Sequence, residues 1–93
     1  MKSFGEYLRR IREEKQLPLR KVAAALDIDT SILSKIERNE RRATIEMLPV
    51  FCKVFEKSQK EMQTEYIKSL IISELGDLEY IKNGLKETLK SIS

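Results

Sequence analysis

Between Pro18 and Asn39 two short apolar periodicities follow one another with almost no chain between them, and that spacing constrains the fold more than any other feature. The first, Leu19 to Leu26, places Val22, Ala23 and Leu26 on one side at helical spacing. Pro18 disfavours helix at Leu17 and can open a helix itself. The second, about Asp29 to Arg38, has Leu33 and Ile36 as its buried stripe. Only Asp27-Ile28 is left for the turn, so the pair reads as a helix-turn-helix unit. Val22 and Ala23 then face Leu33 and Ile36, with Ala23 small where the two axes approach. That packing turns Thr30, Ser31, Ser34 and Lys35 outward. Asp29 is a good N-cap, its side chain accepting from a backbone N–H one turn on. Asn39 can end the helix in the left-handed conformation.

The flanking segments also read as helix. Ser3 caps a helix over about Phe4 to Lys15, with Glu6 completing a capping box and Phe4, Tyr7, Leu8 and Ile11 as its apolar face. Glu40 to Ala43 is a polar loop. Thr44 caps a fourth helix, Ile45 to Phe55, with Ile45, Leu48, Phe51, Cys52 and Phe55 on one side and Pro49 inside it. Ser58 caps a fifth, which Gly76 stops near Leu75. A last helix starts at Asp77 or Leu75 and carries Leu78, Ile81, Leu85, Leu89 and Ile92. The fold class is therefore all-α. Residues 1–63 form a compact five-helix domain, and residues 64–93 a C-terminal helical hairpin more apolar than a lone tail needs.

Ninety-three residues suit one domain. The chain has no His and a single Cys, so His-based catalysis, an internal disulfide and a Cys/His metal cluster are excluded. Cys52 reads as a small core residue. Glu13-Glu14, Asp27 and Asp29 read as caps and solubilising charge, and no Gly-rich phosphate loop is present. No enzyme activity, cofactor or metal is expected. Without an apolar run of about 18 residues or an apolar leader, no membrane partner is indicated and the cytoplasm is the expected location. The charge is uneven. Residues 1–42 carry 11 Lys/Arg against 7 Asp/Glu, the remainder 7 against 8, so an anionic partner would dock on the first half.

The pieces IREEK (11–15), L-x-x-VA-x-x-L (19–26) and ID-T-S-x-L-S-K-IE-R-N (28–39) resemble the lambda Cro-type repressors of the XRE helix-turn-helix family, over about residues 4–63. The sequence departs from the family pattern at Asp27 and Asn39, where Gly is usual, at Ala43, where Pro is common, and at Leu19, where Gln often contacts DNA. The resemblance implies a lambda-repressor-like fold and a double-stranded DNA partner, with the helix of about 29–38 in the major groove. It implies base-edge contacts from Thr30, Ser31 and Lys35, with Ser34 beside them and Ile32 against a thymine methyl. Lys donates to guanine, and a hydroxyl serves as donor or acceptor. Arg38, Asn39, Arg41 and Arg42 would flank the phosphates, with Arg9, Arg10, Arg20 and Lys21 ranking behind them and Arg20 or Lys21 standing in for the missing Gln. Arg12 and Glu37 correspond to an internal ion pair that braces the recognition helix.

A few hydroxyl and Lys contacts fall short of the roughly 4–10 kcal/mol that separates specific from non-specific sites. Two copies on a palindromic operator would suffice, so residues 64–93 are expected to pack partly on the core and partly across a two-fold homodimer interface; a self-contained hairpin in a monomer is the other reading. The functional expectation is a transcriptional regulator, a repressor or a restriction-modification controller. The alternative is an antitoxin-type module whose C-terminal helices hold a protein partner.

Overall fold

The computed structural model describes residues 3–93. Among them it contains α1 (Phe4–Glu14), α2 (Leu19–Leu26), α3 (Thr30–Glu37), a 3-10 turn (Ile45–Met47), α4 (Leu48–Phe55), α5 (Gln59–Leu75) and α6 (Ile81–Ile92), with no strand. The chain is all-α. The described helices are six, and the boundary drawn at 63/64 falls inside the continuous α5.

α1 starts at Ser3, whose Oγ accepts from the Glu6 N–H at 3.1 Å. The reciprocal half of the capping box is replaced by the Ser3 hydroxyl donating to the Glu6 carboxylate at 3.4 Å. Phe4, Tyr7, Leu8 and Ile11 are buried, as their i, i+3, i+4, i+7 spacing requires. Asp29 corrects the sequence reading. It sits at the N-cap of α3 with extended backbone, but its side chain makes no capping bond. Its backbone carbonyl instead accepts from Ile32 N–H at 3.0 Å, which occupies the donor that the carboxylate would have capped.

The fourth helix is corrected too. Residues 45–47 form a 3-10 turn, so the α-helical phase is set at Leu48 rather than Ile45. Ile45 is consequently 70% exposed, whereas Leu48, Phe51, Cys52 and Phe55 are buried. Pro49 falls in the first turn of α4, where its missing N–H has no intrahelical acceptor to lose. The helix stops also differ from the glycine rule. Gln16, Asp27, Asn39 and Glu56, at φ 55°, 57°, 64° and 55°, supply the left-handed turns after α1 to α4. Gly76 stays right-handed at φ −60°, and α6 begins only at Ile81 after a pair of tight turns.

The core lies where α1, α4 and α5 converge under the α2–α3 pair. Phe4 meets Tyr66 edge-on with centroids 5.1 Å apart, and Phe51 stacks on Phe55 at 5.7 Å. The Phe4 N–H, an orphan of the first turn of α1, donates to Ser69 Oγ on α5 at 3.0 Å. Gly5 lets α1 cross the end of α3 closely: a Cβ there would lie 2.2 Å from the Ile36 carbonyl oxygen. α6 buries none of its residues. The radius of gyration, 14.5 Å, accordingly exceeds the roughly 12 Å of a compact chain of this length. No helix among the described residues is long and apolar enough to cross a membrane.

Candidate nucleic-acid interface

α3 is fixed from behind before anything is offered in front. Leu33 and Ile36 enter the core, and Val22 and Ala23 of α2 are buried with them. Glu37, one residue on, is only 6% exposed and is the single buried charged residue among the described ones. Its carboxylate accepts from Arg12 Nε at 2.7 Å and from Arg12 Nη2 at 3.1 Å. Arg12 Nη1 donates to the Leu17 carbonyl at 3.0 Å, so one guanidinium ties α3 to α1 and to the α1–α2 turn. The bonds to Glu37 raise the Arg12 pKa further above its ordinary value, against burial, and keep the guanidinium charged. No buried side-chain nitrogen or oxygen among the described residues lacks a partner.

With that side anchored, Thr30, Ser31 and Lys35 are exposed. Ser31 and Lys35 are one turn apart and share a face. Within the described residues Lys35 forms no ion pair, so its ammonium is not committed to a carboxylate. Ile32 and Ser34 flank this face and are half-buried. Ile32 packs against the core, and Ser34 Oγ accepts from Arg38 Nη1 at 2.9 Å.

The cations around α3 fall into two groups. Arg20, Lys21 and Arg41 are exposed and make no ion pair within the described residues. Arg38 is bound side-on by Glu40, and Arg42 is paired with Glu74 of α5. Arg9 and Arg10 are taken up along α1 by Glu13 and Glu14, at 3.5 Å and 3.8 Å. Asn39 is exposed, at the left-handed position. The loop carrying Arg41 and Arg42 is held at its far end by a buried bond, Tyr66 Oη donating to the Ala43 carbonyl at 2.7 Å. A cleft of about 260 Å³ lies between that loop and α5, and the Arg42–Glu74 pair spans its edge.

Sequence reasoning missed the carboxylates and the phenol in this arrangement. Beyond the Arg12–Glu37 pair, it tracked basic residues and did not ask which acids stand beside them. Glu40 was detectable: a left-handed Asn39 folds the next residue back over the helix end, towards Arg38. Glu74 and Tyr66 were not detectable, because their partners lie 32 and 23 residues away in the chain.

A family model described as Helix-turn-helix matches residues 8–61, more than half of the chain, with α2 and α3 wholly inside the match. No curated protein and no solved structure gives a match. The family is one of DNA-binding regulatory domains. With a short second helix buried along Leu33 and Ile36 and polar along Ser31 and Lys35, this chain belongs to the XRE family of helix-turn-helix DNA-binding domains.

Proposed function

We propose that this chain is a sequence-specific regulator of transcription, a repressor or a restriction-modification controller, that inserts α3 into the major groove of a palindromic operator as a homodimer in the cytoplasm. The observation that carries the reading is the division of α3: Thr30, Ser31 and Lys35 are exposed while Leu33, Ile36 and Glu37 are buried behind them. In such units the leading residues of the second helix contact base edges. Thr30, Ser31 and Lys35 read bases, with Ile32 at the margin against a thymine methyl. Arg20, Lys21, Asn39 and Arg41 hold the phosphates, which orient the protein without reading sequence. Arg42 joins them by exchanging Glu74 for a phosphate.

The dimer reading is supported by the apolar side chains beyond Tyr66. Leu75, Leu78, Leu89 and Ile92 are all at least 45% exposed. The same surface favours the second reading, an antitoxin-type module. A groove of about 530 Å³ between the end of α5 and α6, lined by Leu75, Leu78, Ile81 and Leu85, would accept an apolar segment of a partner protein. A solution mass of 10.9 kDa at micromolar concentration ends the dimer reading, and stable copurification with a neighbouring gene's product favours the antitoxin.

Selection of bound duplexes from a random pool, followed by salt titration, tests the main reading. A palindromic motif with half-sites about 34 Å apart is expected. Lys35→Ala relaxes preference at one base position, and Arg41→Ala weakens all sequences alike and flattens the salt slope by about 1. A wild-type chain that enriches no motif refutes the reading.

A further inference from the structure

Arg38 stands at the trailing end of the exposed side of α3, one turn beyond Lys35. Its guanidinium is held from two directions. Nε donates to Glu40 Oε2 at 2.9 Å and Nη2 to Glu40 Oε1 at 3.3 Å, a side-on fork. Nη1 donates to Ser34 Oγ at 2.9 Å. Glu40 reaches back because Asn39 turns left-handed at φ 64° and the Glu40 N–H closes onto the Lys35 carbonyl at 2.8 Å.

A guanidinium carries five N–H donors. Nε uses its only one here, and Nη1 and Nη2 each use one of two. Two donors remain, one on each terminal nitrogen and both in the guanidinium plane, enough for a two-pronged contact. That fork matches two paired acceptors, which on a duplex are either guanine O6 and N7 or two oxygens of one phosphate. Charge separates these targets. The Arg38 hydrogen bonds hold the Glu40 carboxyl below its ordinary range, so Glu40 is ionised and the Arg38–Glu40 unit is neutral overall. A phosphate approaching Arg38 would meet the charge of Glu40 as well, and most of the attraction would cancel. A guanine edge is uncharged and asks only for the two hydrogen bonds.

We propose that Arg38 reads a guanine in the major groove, and that Ser34 and Glu40 are positioning residues that aim it. The inference rests on the DNA-binding reading above and deepens it. It moves Arg38 from the phosphate set to the base-reading set, and it has Ser34 act through Arg38 rather than on a base.

The test uses the full chain in the same duplex selection, with salt titration on the enriched site. The wild type is compared with Arg38→Ala/Glu40→Gln, which keeps the net charge, and with Glu40→Gln alone. All the substituted positions are exposed, and circular dichroism checks that the fold is kept. The double variant is expected to lose about tenfold or more of guanine preference at one position, with the other positions and the salt slope retained. Glu40→Gln frees Arg38 to swing onto a phosphate. The same guanine preference then falls while binding to all duplexes strengthens and the salt slope steepens by about 1. A uniform loss over all sequences in the double variant, with a slope flatter by about 1, assigns Arg38 to the backbone and overturns the inference. So does a double variant with the full wild-type motif. In both cases the wild-type motif survives and with it the DNA-binding reading; a wild type without any motif overturns both.

Discussion

Leu8 and Leu89 sit on helices of 11 and 12 residues with similar apolar spacing, yet Leu8 is fully buried and Leu89 is 65% exposed. The contrast extends to whole regions. Among the described residues, every buried one lies between Phe4 and Tyr66, and of the nine large exposed hydrophobics only Ile45 lies within that range. Periodicity explains the stripes in both regions and the burial in only one. α1 has partners because α3, α4 and α5 turn complementary faces towards it, and α5 gives Met62, Tyr66 and Ser69 to that arrangement. Farther along, Ile67 and Leu75 lie on other sides of α5, and α6 continues the exposed surface. An amphipathic helix specifies a face that must be covered; it does not specify by what.

The largest expected effect breaks the bundle from within. Glu37→Ala strips Arg12 of its carboxylate and leaves a largely buried guanidinium with only the Leu17 carbonyl, which is expected to lower unfolding free energy by about 3–5 kcal/mol. Urea denaturation followed by circular dichroism measures it. An unchanged midpoint would mean that α3 is not braced by this pair. Next comes the leucine pair. Leu8→Ala is expected to cost about 2–5 kcal/mol through lost burial and a cavity. Leu89→Ala, in the isolated chain, is expected to stay within about 0.5 kcal/mol of wild type. A large cost at Leu89 that grows with protein concentration would convert the comparison into one between an intramolecular and an intermolecular core.

Much of this contrast could be read from the sequence and part could not. The helices of the bundle were legible because Leu8, Val22, Leu33 and Phe51 fall at spacings that only a helix puts on one face. Helix starts were legible at Ser3 and Ser58, whose hydroxyls do the capping, and misread at Asp29 and Thr44, which make no side-chain capping bond and whose main-chain carbonyls accept instead. Helix ends were legible at Pro18, at Asn39, which does turn left-handed, and at Gly76, which follows Leu75 without turning left-handed; Gln16, Asp27 and Glu56 turn left-handed with no glycine to announce it. Ile45 was misread because a 3-10 turn changes the angular phase by which its stripe was counted. The order of α3's outward residues followed from Leu33 and Ile36. Which distant groups meet, such as Tyr66 with Ala43 or Arg42 with Glu74, depends on tertiary packing that no local pattern encodes.

Two glycines give the smallest and sharpest test of the same difference. Gly5 lies inside the bundle, and a methyl group there would collide with the Ile36 and Glu37 carbonyls at 2.2 Å and 2.8 Å, which are backbone atoms and cannot rotate away. α1 and α3 must separate to admit it, and overpacking of this kind costs about 1–3 kcal/mol. Gly5→Ala is therefore expected to lower the global unfolding midpoint, and to weaken DNA binding with it, because α3 is displaced. Gly84 lies in the middle of α6, and a methyl group there would meet nothing within 4 Å. Replacing Gly by Ala in an exposed helix interior gains up to about 1 kcal/mol of helix stability. Since α6 contributes no buried residue, that gain should remain local. Gly84→Ala is expected to slow amide hydrogen exchange in α6 severalfold while the bundle's urea midpoint stays where it was. If the midpoint rises together with the protection, α6 unfolds with the bundle as one cooperative unit, and the division of the chain at Tyr66 describes burial alone, not stability.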